Sequence, residues 1–153
     1  MRRSDKQIID ITGIEAVVRS GEICHLAMVD KGRPYVVPVN YGYANGALYF
    51  HSAPAGRKIN ILRKNPDVCF SIVSNHGLVK NERACSWSAK YRSVIGTGRA
   101  VILDDRIEKE KGLSILMKQY SDQEYDFSGE DLTGVVVIRV KIEEMKGKGE
   151  LVL

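Results

Sequence analysis

Residues 34–58 read PYVVPVNYGYANGALYFHSAPAGRK, and the fold turns on this stretch. Residues 35–41 alternate apolar and β-branched side chains in the manner of a strand. Asn45-Gly46 follows, a pair that tolerates positive φ at both positions and so suits a two-residue hairpin turn. Residues 47–50 return as a second strand ending on His51 and Ser52. The loop 53–56 then leads into a short helix opened by Arg57 and Lys58, with Ile59 and Leu62 on its apolar side. A helix start offers free N–H groups and the positive end of its dipole, and two cations there add to the attraction for an anion. Read alone, an Arg-Lys pair is an ordinary solvated helix start. Gly56 before it and the His-Ser pair upstream favour phosphate, because a backbone without Cβ lets an anion approach.

Working outward, Thr12 and Glu15 form a capping-box pattern for a helix carrying Ile14, Val17 and Val18 and closed by Gly21. A strand is predicted over 22–30, with Ile23, Leu26 and Met28 as core candidates, and Lys31 to Pro34 turn the chain into the central hairpin. Pro66 stops the helix begun at Arg57. A strand follows over 68–73, then a polar loop or hairpin end over 76–83. A long strand is predicted over 84–103, interrupted at Gly96 and Gly98, where two glycines one residue apart suggest a bulge or bend. This G-x-G neither follows a strand nor opens a helix, which argues against a dinucleotide fingerprint. Asp104 or Asp105 starts a charged helix reaching about residue 120, with Leu113, Leu116, Met117 and Tyr120 on its apolar face. Residues 135–142 (VVVIRVKI) alternate most cleanly. Lys146 to Gly149 read as flexible before the apolar tip 151–153.

With 153 residues the chain suits one domain over 1–153, large enough for a core without disulfide or metal support. Its 44% apolar and 27% charged residues are those of a soluble globular protein. No apolar run is long enough to span a bilayer, and no apolar segment follows the charged N-terminus, so no signal peptide and a cytoplasmic setting are expected. The three cysteines (24, 69 and 85) are odd in number and scattered, which predicts buried free thiols rather than a disulfide framework. A net charge of +4 is mild, and no basic block supports nucleic-acid binding. His25 and His76 have no site context, Cys24-His25 lacks metal-ligand spacing, and no Ser-His-Asp order, carboxylate pair or P-loop occurs. Trp87 reads as core or interface.

About six strands with two or three helices among them form no regular βαβ series, so an α+β barrel, antiparallel or mixed, is predicted. Its detailed topology comes from a resemblance. Gly32 to Tyr41, Tyr49 to Ala53, Gly56 to Lys58, Asn65 to Phe70 and Tyr91 to Gly98, in that order and spacing, resemble the flavin-binding split-barrel superfamily of pyridoxamine-phosphate oxidases, and within it the branch of nitroimidazole-resistance proteins. The resemblance implies a six-stranded antiparallel split β-barrel, FMN as cofactor, and a homodimer with FMN in the groove between subunits.

It also distributes roles. Arg57 and Lys58 fall where basic residues contact the FMN phosphate, with Ser52, Arg92, Ser93 and Val94 beside them. Pro38, Val39, Asn40 and Tyr41 fall against the isoalloxazine ring. Pro38 donates no ladder hydrogen bond, which by itself points to an edge strand facing a ligand or partner chain. His51, at a strand end seven residues before Lys58, is the catalytic candidate, placed to donate a hydrogen bond or relay a proton to a substrate. The implied activity is an FMN-dependent oxidoreductase taking hydride from NAD(P)H and reducing a small molecule such as a nitroaromatic. A non-catalytic flavin- or haem-binding protein, a deazaflavin user, and a basic nucleic-acid-binding barrel are the alternatives.

Overall fold

Lys31-Gly32 and Asn45-Gly46 take positive φ at both positions (51° and 78°, 49° and 70°), the geometry that matches a tight turn to the right-handed twist of its strands. Both predicted turns are therefore formed. The computed structural model describes residues 4–149. The elements in chain order are β1 (Gln7–Ile8), α1 (Ile11–Ser20), β2 (Cys24–Asp30), β3 (Arg33–Val39), β4 (Gly42–Ala44), β5 (Ala47–Ser52), α2 (Arg57–Lys64), β6 (Asp67–Val79), β7 (Ser88–Leu103), α3 (Arg106–Lys118) and β8 (Val136–Gly149). Neighbouring strands are antiparallel, in the order β3-β2-β6-β7-β8-β5-β4, with β1 added on β8. This is an α+β split barrel with eight strands rather than six, the short β1 and β4 being the pieces that periodicity did not resolve.

The sheet curls because its inward side chains share one core. Leu26 and Met28 of β2, Phe70 and Ile72 of β6, Val94 of β7, Ile138 and Val140 of β8 and Leu48 and Phe50 of β5 meet there with Val17 and Val18 of α1 and Ile59 of α2. A smaller cluster outside the sheet, with Ala47, Tyr49, Leu103 and Val137, seats Leu113 of α3. The three long strands β6, β7 and β8 bend where glycine permits. A Cβ on Gly96 would lie 2.4 Å from the Phe70 ring and 2.5 Å from the Glu144 carbonyl, and one on Gly98 would lie 2.4 Å from the Lys141 carbonyl. The irregularity falls beside these glycines, but its extra residue is Glu143 of β8: Thr97 pairs with Glu144 and Gly98 with Ile142, while the pairing of β7 with β6 is regular there.

Several expectations are corrected. Residues 35–41 do not pair with 47–50: β3 pairs only with β2, and the strand across the Asn45-Gly46 turn is the short β4. Tyr41 separates the two. Its side chain is buried and its hydroxyl donates to the Val18 and Gly21 carbonyls at the end of α1, drawing the chain away from the β3 line. The cap of α1 is Asp10, not Thr12: the Asp10 carboxylate accepts from the Gly13 N–H, and the Thr12 hydroxyl donates to it as well. Ile23 is exposed, since the buried set of β2 is Cys24, Leu26 and Met28. Residues 76–79 continue β6, and 146–149 are strand rather than flexible tail, paired with β7. Burial pushes the Cys24 thiol up to about 12, but Cys69 and Cys85 are free and exposed. The tip 151–153 lies outside the described residues.

Gly96→Ala should cost about 1–3 kcal/mol, the usual penalty for overpacking. Gly77→Ala is its control: it lies in the same strand pair with nothing within 4 Å of the added carbon, and should change stability by less than about 0.5 kcal/mol. Urea denaturation of the two variants beside the parent measures the difference.

Candidate functional site

Phe50 is fully buried, so strand alternation turns His51 to the other face, where it is exposed beside Val137. Ser52 ends β5, and the chain reaches α2 through Gly56, whose φ of 126° and open surroundings suit glycine. Arg57, Asn60, Ile61 and Lys64 share one side of α2, over a hollow of about 330 Å³ that also touches Asp30 and Gly56. Arg57 is engaged within the chain: its Nε lies 3.0 Å from Asp30 Oδ2, and its guanidinium sits 4.3 Å from the centroid of the Tyr35 ring. Lys58 differs. It is half-buried, outside that hollow, with no acidic partner among the described residues, and burial pushes its pKa below the ordinary lysine value.

The remaining candidates lie at the opposite end of the barrel. The ladders place Val39, Cys24, Ile72, Val94 and Gly147 in one row across five strands. Pro38 and Asn40 are exposed there, and the Asn40 amide donates to the Glu22 carbonyl at 3.4 Å. Tyr41 and Val94 send their side chains into the core, the Tyr41 N–H is taken by the Tyr120 hydroxyl, and the main chain of Val94 lies within the ladders of β7 with β6 and β8, so neither residue presents a side chain to a ligand. Burial pushes the Tyr41 hydroxyl pKa upward, keeping it a neutral donor. Arg92 is half-buried, and Ser93 Oγ lies 3.5 Å from the Lys148 carbonyl. A groove of about 530 Å³ on the outer face runs between Ser93, Ile95 and Thr97 of β7 and Glu144, Lys146 and Lys148 of β8.

One chain therefore brings together His51, Ser52, Arg57 and Lys58 at one end and Pro38, Val39, Asn40, Arg92 and Ser93 at the other. Along β3 alone, from the Arg33 turn to Val39, six steps of ~3.3 Å separate these ends by roughly 20 Å. Between them the outer face exposes apolar residues, Val36 (58% exposed), Ile95 (56%), Val73 and Val101 with Pro38 and Cys69, set among polar ones that include the Arg99–Asp67 and Lys146–Glu144 ion pairs. Sequence reasoning did not find Asp30 and Tyr35, which occupy Arg57. It also did not find the role of Tyr120, whose hydroxyl accepts from the Tyr41 N–H and donates to the Glu22 carbonyl. None of the three carries a local signal, since each acts across a long sequence separation.

The curled antiparallel sheet with its three helices defines a split-barrel protein. A family model described as pyridoxamine 5'-phosphate oxidase matches residues 10–149, and the chain belongs to that family. The structure of a candidate 5-nitroimidazole antibiotic resistance protein from Bacteroides thetaiotaomicron is similar, with a TM-score of 0.82 and 35% identity over 93% of this chain and 85% of the other. An FAD-binding protein from Mesorhizobium loti is similar at a TM-score of 0.68 and 25% identity, over 94% of this chain and 96% of the other. A curated but uncharacterized protein of Rhizobium meliloti (strain 1021) is 32% identical over 85 residues, 56% of this chain and 49% of its own length. The match thus spans about half of that relative.

The Lys58 environment has a titration consequence. Below its lowered pKa the ammonium is charged and attracts an anion, and as pH rises through that pKa charge and attraction are lost together. Phosphate-ester binding should therefore weaken with pH at values below the ordinary lysine range, and a bound anion should move the Lys58 titration back upward. NMR titration of the Lys58 side chain with and without the anion measures both.

Proposed function

We propose that this chain is an FMN-dependent oxidoreductase acting as a homodimer, with each flavin between two subunits. The reading is carried by Lys58: a half-buried ammonium without an acidic partner among the described residues, in the first turn of α2 behind Gly56. Such a group is stabilised when a phosphate supplies the missing negative charge. Arg57 is held by Asp30 and Tyr35, so Lys58 is the main phosphate ligand and Arg57 a flanking positive charge. The separation of the two residue groups supports the dimer. A two-fold axis that faces the apolar outer surfaces against each other, strands running oppositely, sets Pro38, Asn40 and Ser93 of one copy beside His51 and Lys58 of the other. The family and the names of its structural relatives support a flavin, and the free thiols support a reducing, cytoplasmic setting.

When bound, the flavin supplies the hydride and electron transfer, from NAD(P)H to a small acceptor such as a nitroaromatic. The chain's own work is to hold and orient. Lys58 anchors the phosphate. The exposed Asn40 and the free edge of β3 offer donors and acceptors to the ring. His51, exposed at the end of β5, donates a hydrogen bond or a proton to an oxygen of the acceptor.

The purified protein should show an oxidised-flavin absorption spectrum and bind FMN more tightly than riboflavin. Lys58→Ala should weaken FMN by about 1–3 kcal/mol, the scale of a charge-assisted hydrogen bond, with riboflavin unaffected. Equal affinities for FMN and riboflavin in the parent protein would refute the phosphate assignment.

His51→Ala should retain FMN and the fold while slowing acceptor reduction by about 10²-fold, the usual contribution of a positioned acid. Reduction by the nicotinamide should suffer less, because that hydride transfer takes no proton from His51. Stopped-flow measurement of the two half-reactions separates the effects. An unchanged acceptor half-reaction would make His51 a bystander, and loss of FMN would make it a cofactor ligand.

A further inference from the structure

Arg92 and Ser93 are neighbours on β7 but face opposite sides of the sheet. Val94 points into the core, so Arg92, two residues before it, is on the inner face and Ser93 on the outer one. Directly paired residues share a face, which sets Ser74 of β6 and Gly149 of β8 beside Arg92 on the inner side. This is the next inner row after Ile72, Val94 and Gly147. Helix α1 lies over that earlier row: a Cβ on Gly147 would meet Ile14, and one on Gly21 would meet Ile72. Arg92, half-buried, and Lys90, exposed and paired with Gly77, therefore continue the inner face past the helix.

A hollow of about 690 Å³ lies there between β7 and the start of α1, within the usual size of small-molecule sites. Among the described residues Lys90 and Arg92 form one wall, and Ile8, Ile9, Gly13 and Ala16 form the other. Two acids also reach the hollow, but both are engaged. Asp10 caps α1, accepting from the Gly13 N–H and the Thr12 hydroxyl, and Asp5 has an interaction of its own. Neither Lys90 nor Arg92 makes an ion pair among the described residues. Ser74, beside Arg92, is 5% exposed, and its hydroxyl is buried with no hydrogen-bond partner among them. A buried hydroxyl without a partner and a half-buried guanidinium without an acid, on adjacent strands, both call for an acceptor from outside the chain.

We propose that this hollow binds a small amphipathic anion, a carboxylate or phosphate monoester carrying an apolar body. The planar Arg92 guanidinium matches two oxygens of such a head group, with Lys90 adding charge from the rim and the Ser74 hydroxyl a further donor beside it. The apolar body lies over Ile8, Ile9 and Ala16, and covers side chains that otherwise face water, Ile9 being 85% exposed. Neither the flavin nor the dimer proposed above enters this site.

An NMR titration of the full chain with octanoate, octyl phosphate and octanol tests it. At least one of the two anions should bind at millimolar concentration and shift the backbone amides of Ile9, Gly13 and Ala16, and the tighter of the two identifies the head group. Octanol should bind at least tenfold more weakly, and equal binding overturns the role of the cations. Arg92→Gln should weaken the anion by about tenfold or more, the scale of a charge-assisted hydrogen bond. Ala16→Trp fills the hollow from an exposed position and removes no charge; it should abolish binding while circular dichroism stays that of the parent. Lys58→Ala should bind the anion as the parent does. Shifts centred on α2, or binding lost in Lys58→Ala and kept in Arg92→Gln, would assign the anion to the Lys58 end and overturn the hollow. Absence of binding by both anions overturns it as well.

Discussion

The close passage of chain over Gly96 and Gly98 is the constraint on which the barrel depends. Three long strands must bend while keeping their ladders, and the bend is possible only where no Cβ intervenes between β7, the Phe70 ring and the β8 carbonyls. A bulge at Glu143 of β8, opposite Thr97 and Gly98, takes up the extra residue. Once the sheet curls, β2 and β5, four places apart in strand order, face one another across Phe50 and Phe70. The exposed edge of β3, the α3 seat and the start of α2 all take their positions from that closure.

Closure also divides the polar chemistry. Arg57 is drawn into the Asp30 carboxylate and the Tyr35 face, both supplied by the β2–β3 hairpin, while Lys58 one position on is half-buried and has no acidic partner among the described residues. Two adjacent cations thus have different work: one braces the helix start against the hairpin, and the other holds a charge that a ligand can neutralise. Residual exposure limits the cost of that uncompensated charge, while the positive end of the α2 dipole beside it adds to the cost and to the pull on an anion.

The homodimer proposed above takes the apolar residues of the outer face as its contact. Val36, Ile95, Val73 and Val101 are spread over β3, β6 and β7, so covering one covers its neighbours. The candidate ligands lie at the two ends of this face, and a two-fold pairing is the simplest operation that joins unlike ends.

Local chemistry in the sequence determined a good part of this protein. The turns at Lys31-Gly32 and Asn45-Gly46, the start of α2 at Arg57, the edge character of β3 around Pro38 and the alternation of β8 all depend on φ, on a missing N–H or on period-2 burial, which act between near neighbours. The outward turn of His51 followed from Phe50 in the same way. What only the tertiary structure decided acts over long separations. Tyr41 leaves the strand line because its hydroxyl meets carbonyls at the end of α1, and residues 146–149 become strand because β7 is there to pair with them. Arg57 is occupied while Lys58 is not, because a hairpin 27 residues away ends in Asp30. The parting of the site residues into two ends belongs to the same class. Sequence spacing ranks them by order along the chain, but their separation in space is set by which strands pair.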